Sequence, residues 1–169
     1  ILRRLKTDVL IDLPPKVVTI VPAFLSDLQR QLYDKFLQRT DKRIFGGANM
    51  LQSEALQIIM EMRKYVNHPY LFDGQRPDDK ALTDEQKCHH LVNCCGKMKI
   101  LDQLLTAFKT KGHRVLIFSS MKRVLDFISE YCNYKSYSFA RLDGDTEQKE
   151  RARLIEDFNA STSQDPSSS

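Results

Sequence analysis

The chain has 169 residues, 41% of them hydrophobic and 28% charged, with a formal net charge of +4 and a pI near 8.9. That length sets one domain, or one domain with a small appendage, and the apolar fraction suffices for a packed core. No apolar run approaches the roughly 18 residues of a membrane span, and the mild basic excess suits a nucleic-acid partner without singling one out.

Ile1 stands where an initiator Met would, and Ile1-Leu-Arg-Arg-Leu-Lys6 reads as a helix cut in its middle, inside a longer protein. Its three cations form either a solvated helix face or a contact with an acidic partner. Leu13-Pro14-Pro15 ends that helix, because proline lacks the N–H and restrains the residue before it. Lys16-Val-Val-Thr-Ile-Val21 is β-branched and predicts a short strand closed by Pro22. Ser26 followed by Gln29 is a capping-box pattern, opening a helix to about Arg39 with Leu28, Leu32 and Phe36 on one face. Thr40 to Gly47, with its paired glycines, reads as a loop.

A second helix is expected from about Ser53 to Val66, with Ile58, Met62 and Tyr65 on its apolar face and Met60 and Met62 as core filler. Asn67-His68-Pro69 ends it, and Tyr70-Leu71-Phe72 forms an apolar plug before the Asp73-Gly74 turn. His68 takes a structural role, capping helix carbonyls. Residues Gln75 to Gln86 are polar, carry Pro77 and four acidic side chains, and read as an exposed linker. Cys88-His89-His90 with Cys94-Cys95 offers zinc-type ligands, but the spacing fits no common pairing and adjacent residues rarely face one metal. No metal is expected there, and the thiols read as free in a reducing compartment.

Gly96 precedes a helix carrying Met98, Leu101, Leu104, Leu105 and Phe108 on one side and ending at Gly112. The organising stretch follows. Arg114-Val-Leu-Ile-Phe118 is apolar and stops at Ser119-Ser120-Met121-Lys122, and a helical pattern then runs to about Asn133. Tyr137-Ser-Phe-Ala-Arg-Leu142 repeats the motif, stopping at Asp143-Gly144-Asp145-Thr146 before a last helix to Phe158. This spacing predicts a βαβα unit of parallel strands with right-handed crossovers, hence an α/β fold. Both polar turns would lie at the C-terminal ends of neighbouring strands, where helix N-termini favour anions. Ala160 to Ser169 is rich in Ser and reads as a disordered tail.

The sequence holds no G-x-x-x-x-G-K-[ST] phosphate loop and no G-x-G-x-x-G, H-E-x-x-H or G-x-S-x-G, so no catalytic residue is assigned. What remains is binding at the sheet edge through Ser119, Ser120, Lys122, Arg123, Thr146, Lys149 and Arg151. Hydroxyls and cations at helix N-termini suit a row of backbone phosphates. The competing reading makes Ser119 and Thr146 plain helix caps and the cations a solvated rim.

Leu2-Arg-Arg-Leu-Lys6 with Asp8-Val9 and Leu13-Pro-Pro-Lys16 resembles the inter-lobe segment of Swi/Snf-superfamily chromatin-remodelling ATPases. Met62-Arg-Lys64 and Asn67-His-Pro-Tyr-Leu-Phe-Asp-Gly74 are similar to the segment before that family's second RecA-like lobe. Gly96-Lys97-Met98, Arg114-Val-Leu-Ile-Phe-Ser119 and Arg141-Leu-Asp-Gly144 with Thr146, Arg151 and Phe158-Asn159 continue the match in the family's order. The motifs point to the ISWI-like branch, with a CHD-like branch second. The resemblance implies a helical inter-lobe region over residues 1–95. A partial P-loop-NTPase-type second helicase lobe follows over 96–159, and the disordered tail covers 160–169.

It also implies a nuclear, nucleosome-remodelling motor that hydrolyses ATP with Mg2+ between two lobes and tracks along double-stranded DNA. Its partners would be nucleosomal histones and the first motor lobe, and no membrane. Family motifs add Lys97, Met121, Arg141 and Gly144 to the DNA-contact set. Three positions depart from the pattern: Ser120 stands in place of the usual Gln, Cys95 in place of Ser, and Asp145 in place of Ser, Asn or Gln. The first lobe's phosphate loop would precede Ile1 and the second lobe's arginine finger would follow Asn159, so this stretch alone is expected neither to hold ATP stably nor to hydrolyse it. Two other readings are a DNA-repair translocase and a protein-interaction module docking on histones or a partner subunit.

Overall fold

The computed structural model describes residues 16–44 and 52–160, apart from the side chains of residues 41–44 and 79. The basic opening, the Leu13-Pro14-Pro15 break, the Gly46-Gly47 pair and residues 161–169 of the expected tail lie outside the described residues. Six α-helices are described: α1 (Asp27–Ile44), α2 (Gln52–Asn67), α3 (Asp84–Asn93), α4 (Gly96–Thr110), α5 (Lys122–Tyr134) and α6 (Gln148–Ala160). Short 3-10 turns lie at Pro69–Leu71 and Asp79–Ala81.

The capping box opens α1 as its sequence dictates. The Gln29 N–H donates to Ser26 Oγ at 3.1 Å, and the Ser26 N–H donates to Gln29 Oε1 at 3.1 Å. The helix then passes its expected end at Arg39 and continues to Ile44. Thr40 accounts for the difference: its buried hydroxyl donates to the Phe36 carbonyl at 2.8 Å, so a residue that favours loops is satisfied within the helix. α1 packs on α2 through Phe36, Ile58 and Tyr65, with Phe36–Tyr65 and Tyr65–Phe72 ring centroids 4.9 and 4.3 Å apart. Met62 packs against this cluster, whereas Met60 is exposed, contrary to its expected core role.

A second core joins the Tyr70-Leu71 plug to α3, α4 and α5 through Leu91, Cys95, Met98, Leu105, Phe127, Tyr131 and Cys132. α3 lies partly in the expected linker. Its start is fixed by a second capping box between Thr83 and Gln86, and Cys88, Leu91 and Val92 are its buried residues. The polar stretch before it is also tethered, because Arg76 pairs with Glu130 of α5 at 2.5 Å. On α4, Met98 and Leu105 are buried while Leu104 faces solvent.

Among the described residues there is no β-strand, so the parallel pairing expected of Arg114–Phe118 and Tyr137–Leu142 is not observed. The first run nevertheless alternates in burial. Val115 and Ile117 pack on the second core, while Leu116 and Phe118 are 67% and 90% exposed. Parallel strands are stable when covered on both faces, and here one face only is covered. Lys16–Val21 likewise forms no strand: its apolar residues are exposed, and β-propensity alone cannot hold a strand that has no neighbour.

α4 and α5 end alike. Gly112 and Ser136 adopt positive φ (69° and 53°), and the following N–H bonds back five residues, His113 to Phe108 and Tyr137 to Cys132.

Two buried polar side chains tie these parts together. Gln29 is 1% exposed; its Oε1 also accepts from the Gly96 N–H at 2.9 Å, and its Nε2 donates to the Tyr65 carbonyl at 2.8 Å. His68, also 1% exposed, accepts at Nδ1 from the Tyr70 N–H, and its Nε2 lies 3.1 Å from the Leu91 carbonyl oxygen. Its role is structural, but it bridges to α3 rather than capping the α2 carbonyls. Burial pushes the imidazole down to about 4, with the Leu91 bond working against that shift.

Replacing Gln29 by Leu strands the Gly96 N–H, the Tyr65 carbonyl and the Ser26 N–H, and is expected to destabilise the fold by about 3 kcal/mol or more in urea unfolding. The unfolded chain protonates His68 near 6.5, while the folded chain keeps it neutral until about pH 4. Stability from this group is therefore complete above pH 6.5 and falls by about 3 kcal/mol as pH drops to 4. Denaturation at pH 7, 5.5 and 4.5 should show this loss in the native chain and a shallower one in His68→Asn.

Candidate nucleic-acid interface

The first polar turn precedes α5. The Ser119 hydroxyl lies 3.2 Å from both the N–H and the carbonyl of Met121, closing the turn locally. Ser120 Oγ accepts from the Arg63 guanidinium of α2 at 2.7 Å. Met121 Sδ lies 3.4 Å from Asn67 Nδ2, and Asn67 Oδ1 accepts from Lys97 Nζ at 3.0 Å. The end of α2, the start of α4 and the first turn therefore meet at one place. Arg123 points away from that junction: it donates to the Leu71 and Tyr70 carbonyls at 3.3 and 3.5 Å, bracing α5 against the 3-10 turn.

The second turn is held by Thr146, whose Oγ1 accepts from the Asp143 N–H at 3.0 Å. Arg151 donates to the Asp143 carbonyl at 2.9 Å, pinning the start of α6 to the same turn. Arg141 is bound by two carboxylates, Asp126 of α5 at 2.7 Å and Asp143 at 3.0 Å. These contacts, with Asp126 foremost, hold its guanidinium further up in pKa. Gly144 faces open space, and Lys149 is exposed.

The two turns are joined by an exposed ion pair between Lys122 and Asp145 and by the Arg141–Asp126 pair. The structure thus brings the predicted turns side by side, with their charges distributed unevenly. Lys122 and Arg141 face carboxylates, Arg123 and Arg151 face backbone carbonyls, and Lys97 faces a neutral amide. Sequence reading missed Arg63, Asn67 and Asp126 as members of the cluster. A signal for the first two was present, since positions 63 and 67 share one face of α2 at i, i+4 spacing.

The cysteine–histidine cluster disperses. Cys95 Sγ donates to the Asn67 carbonyl at 2.9 Å, Cys94 Sγ lies 3.7 Å from His68 Nε2, and His89 and His90 are exposed. Burial pushes the Cys94 thiol up to about 12, away from the thiolate that metal ligation requires. Among the described residues no group of three or more His, Cys, Asp or Glu converges on a metal position, and no helix is long and apolar enough to cross a membrane.

Two protein families match the chain: the SNF2-related domain over residues 1–71 and the helicase conserved C-terminal domain over residues 96–165. The human SWI/SNF-related matrix-associated actin-dependent regulator of chromatin subfamily A member 1 is 45% identical over 163 residues, covering 96% of this chain and 15% of the relative. The ISWI chromatin-remodeling complex ATPase ISW2 of Saccharomyces cerevisiae is 40% identical over 166 residues, covering 97% of this chain and 14% of the relative. The Gallus gallus chromodomain-helicase-DNA-binding protein 1 is 40% identical over 166 residues, covering 98% of this chain and 10% of the relative. The chain thus spans about one-seventh of the length of the first two relatives. With both domain families present in this order, and relatives of this kind matching along nearly its whole length, the chain belongs to the SNF2 family on its ISWI-like branch and contains a helicase C-terminal domain of the RecA-like class.

Proposed function

We propose that the chain is part of an ATP-dependent nucleosome-remodelling translocase and that its own share is contact with the DNA backbone. The observation that carries this is the meeting of two hydroxyl- and cation-bearing turns at one surface, coupled through Lys122 and Asp145. The names of the relatives, chromatin-remodelling ATPases and a helicase-DNA-binding protein, support the reading. In the proposal, residues 1–95 form an inter-lobe region, residues 96–159 belong to the second motor lobe, and residues 160–169 form a tail. Arg114–Phe118 and Tyr137–Leu142 are the parallel strands of that lobe's sheet, a reading supported by the alternating burial of the first run, where Val115 and Ile117 pack on the core while Leu116 and Phe118 are exposed. ATP and Mg2+ act in the whole protein between this lobe and the first, on nucleosomes in the nucleus.

The contact surface comprises Lys97, Ser119, Ser120, Met121, Lys122, Arg123, Arg141, Gly144, Thr146, Lys149 and Arg151. Their roles differ. Arg123 braces α5 on the 3-10 turn, Thr146 and Arg151 hold the second turn through backbone bonds, and Lys97, Ser120, Lys122 and Lys149 are exposed. Such a surface recognises phosphate spacing, not base sequence.

The chain is expected to bind duplex DNA weakly, alike on unrelated sequences, with a shallow salt slope of about −0.9 per phosphate contacted. Asp145→Ser frees Lys122 and removes an anion, so binding should tighten. Weaker binding by that variant in fluorescence anisotropy would place the backbone elsewhere. A chain that retains no DNA in any salt, yet captures histones, would favour the protein-interaction reading.

Phosphoryl transfer requires charges positioned on both sides of the nucleotide, and the sequence carries no phosphate loop. Phosphate release by the purified chain is expected to stay at background with or without DNA. A DNA-stimulated rate that survives contaminant controls would overturn that expectation.

A further inference from the structure

Two cations at the α2–α4 junction differ from the rest of the cluster. Arg63 donates to Ser120 Oγ at 2.7 Å and lies 3.6 Å from Met60 Sδ, and Lys97 donates to Asn67 Oδ1 at 3.0 Å. All of these partners are uncharged, and among the described residues neither cation is paired with a carboxylate. At Lys122 and Arg141 an incoming phosphate must displace Asp145, or Asp126 and Asp143. At Arg63 and Lys97, among the described residues, it displaces only neutral groups.

The placement is also convergent. Arg63 and Asn67 sit one turn apart on α2 and reach adjacent residues of the first turn, Ser120 and Met121. Asn67 in turn holds Lys97, so the ammonium of α4 is linked through one side chain to the turn that the Arg63 guanidinium touches directly. Ser120 and Lys97 are exposed and Arg63 is half-buried, with its Ser120 bond at the surface. A guanidinium offers donors in a planar fork that matches a phosphodiester, and a lysine ammonium adds a point charge beside it.

We propose that Arg63 and Lys97 form a two-pronged seat for one backbone phosphate of duplex DNA, with the Ser120 hydroxyl between them, and that Arg63 is a DNA-contact residue. This rests on the DNA-binding function proposed above and names the place where the backbone is gripped. Asn67 is a positioning residue in this arrangement, since it orients Lys97 without needing to touch the ligand.

The test is fluorescence anisotropy of the full chain on two unrelated 20-base-pair duplexes across a salt series. Arg63→Gln and Lys97→Gln should each reduce the salt slope by about 0.9 and weaken binding roughly eightfold at about 0.1 M salt, alike on both duplexes. Arg63→Lys keeps the charge and should return the slope to its native value. Lys111→Gln makes the same charge change about 20 Å away at the far end of α4 and should alter affinity by less than about twofold. Circular dichroism and melting of each variant confirm that the fold persists.

Native-like affinity and slope in Arg63→Gln, with the native chain binding, would overturn the seat while leaving the DNA-binding function standing. Equal losses in Arg63→Gln, Lys97→Gln and Lys111→Gln would also overturn it, because net charge alone would then account for the effect. No binding by the native chain would remove both the seat and the function on which it rests.

Discussion

The side-chain amide of Gln29 holds three parts of the chain in register. Its oxygen accepts the N–H groups of Ser26 and Gly96, and its nitrogen donates to the carbonyl of Tyr65. The start of α1, the end of α2 and the start of α4 therefore share one buried, fully bonded group. Gly96 makes the approach feasible: a Cβ built there would lie 1.7 Å from the Phe24 carbonyl oxygen, so no other residue fits without moving the segment before α1. His68 repeats the arrangement one step further on, linking the 3-10 turn to α3, with its ring tilted against that of Phe127 at 4.6 Å between centroids. The surface site stands directly on these two anchors, because Lys97 follows Gly96 and Asn67 precedes His68.

Much of this was legible in the sequence, and the rest depended on partners far along the chain. The Ser26–Gln29 capping box is a local pattern and was read correctly, but the bonds from Gln29 to Gly96 and Tyr65 cross 67 and 36 residues, beyond any periodicity. The two polar turns were visible as abrupt ends of apolar runs. Their internal neutralisation was not, since Lys122 meets Asp145 and Arg141 meets Asp126 only after folding. α3 was hidden because its first turn is as polar as the linker before it, and its buried residues include Cys88, which was weighed as a ligand. The apolar runs themselves read as strands because apolar composition and the spacing of runs and helices are visible along the chain. Pairing is not local: among the described residues no ladder forms on either run.

The electrostatics of the site follow from exposure as much as from sequence. Lys122 and Asp145 are 54% and 76% exposed, and a pair in that setting contributes on the order of 0–1 kcal/mol. Exchanging the carboxylate for another anion is therefore inexpensive, and the pair orders the turns without locking them. The Tyr131–Asp102–Lys135 group is more sheltered. Burial works against the Asp102 charge, yet the Tyr131 hydroxyl at 2.6 Å and Lys135 at 2.9 Å outweigh it and lower the carboxyl pKa. That group binds the end of α5 to α4, through a pair less exposed than Lys122–Asp145.

The matched endings of α4 and α5 have a geometric consequence. After the left-handed residues Gly112 and Ser136, the chain runs for the same distance, six residues over 113–118 and again over 137–142, before each polar turn. Equal spacers thus follow equivalent helix ends, and the turns they lead to meet through Lys122 and Asp145. The spacing works as a ruler. Inserting a single residue into either run would carry its turn forward by up to about 3.3 Å, enough to part the two groups while leaving every helix intact.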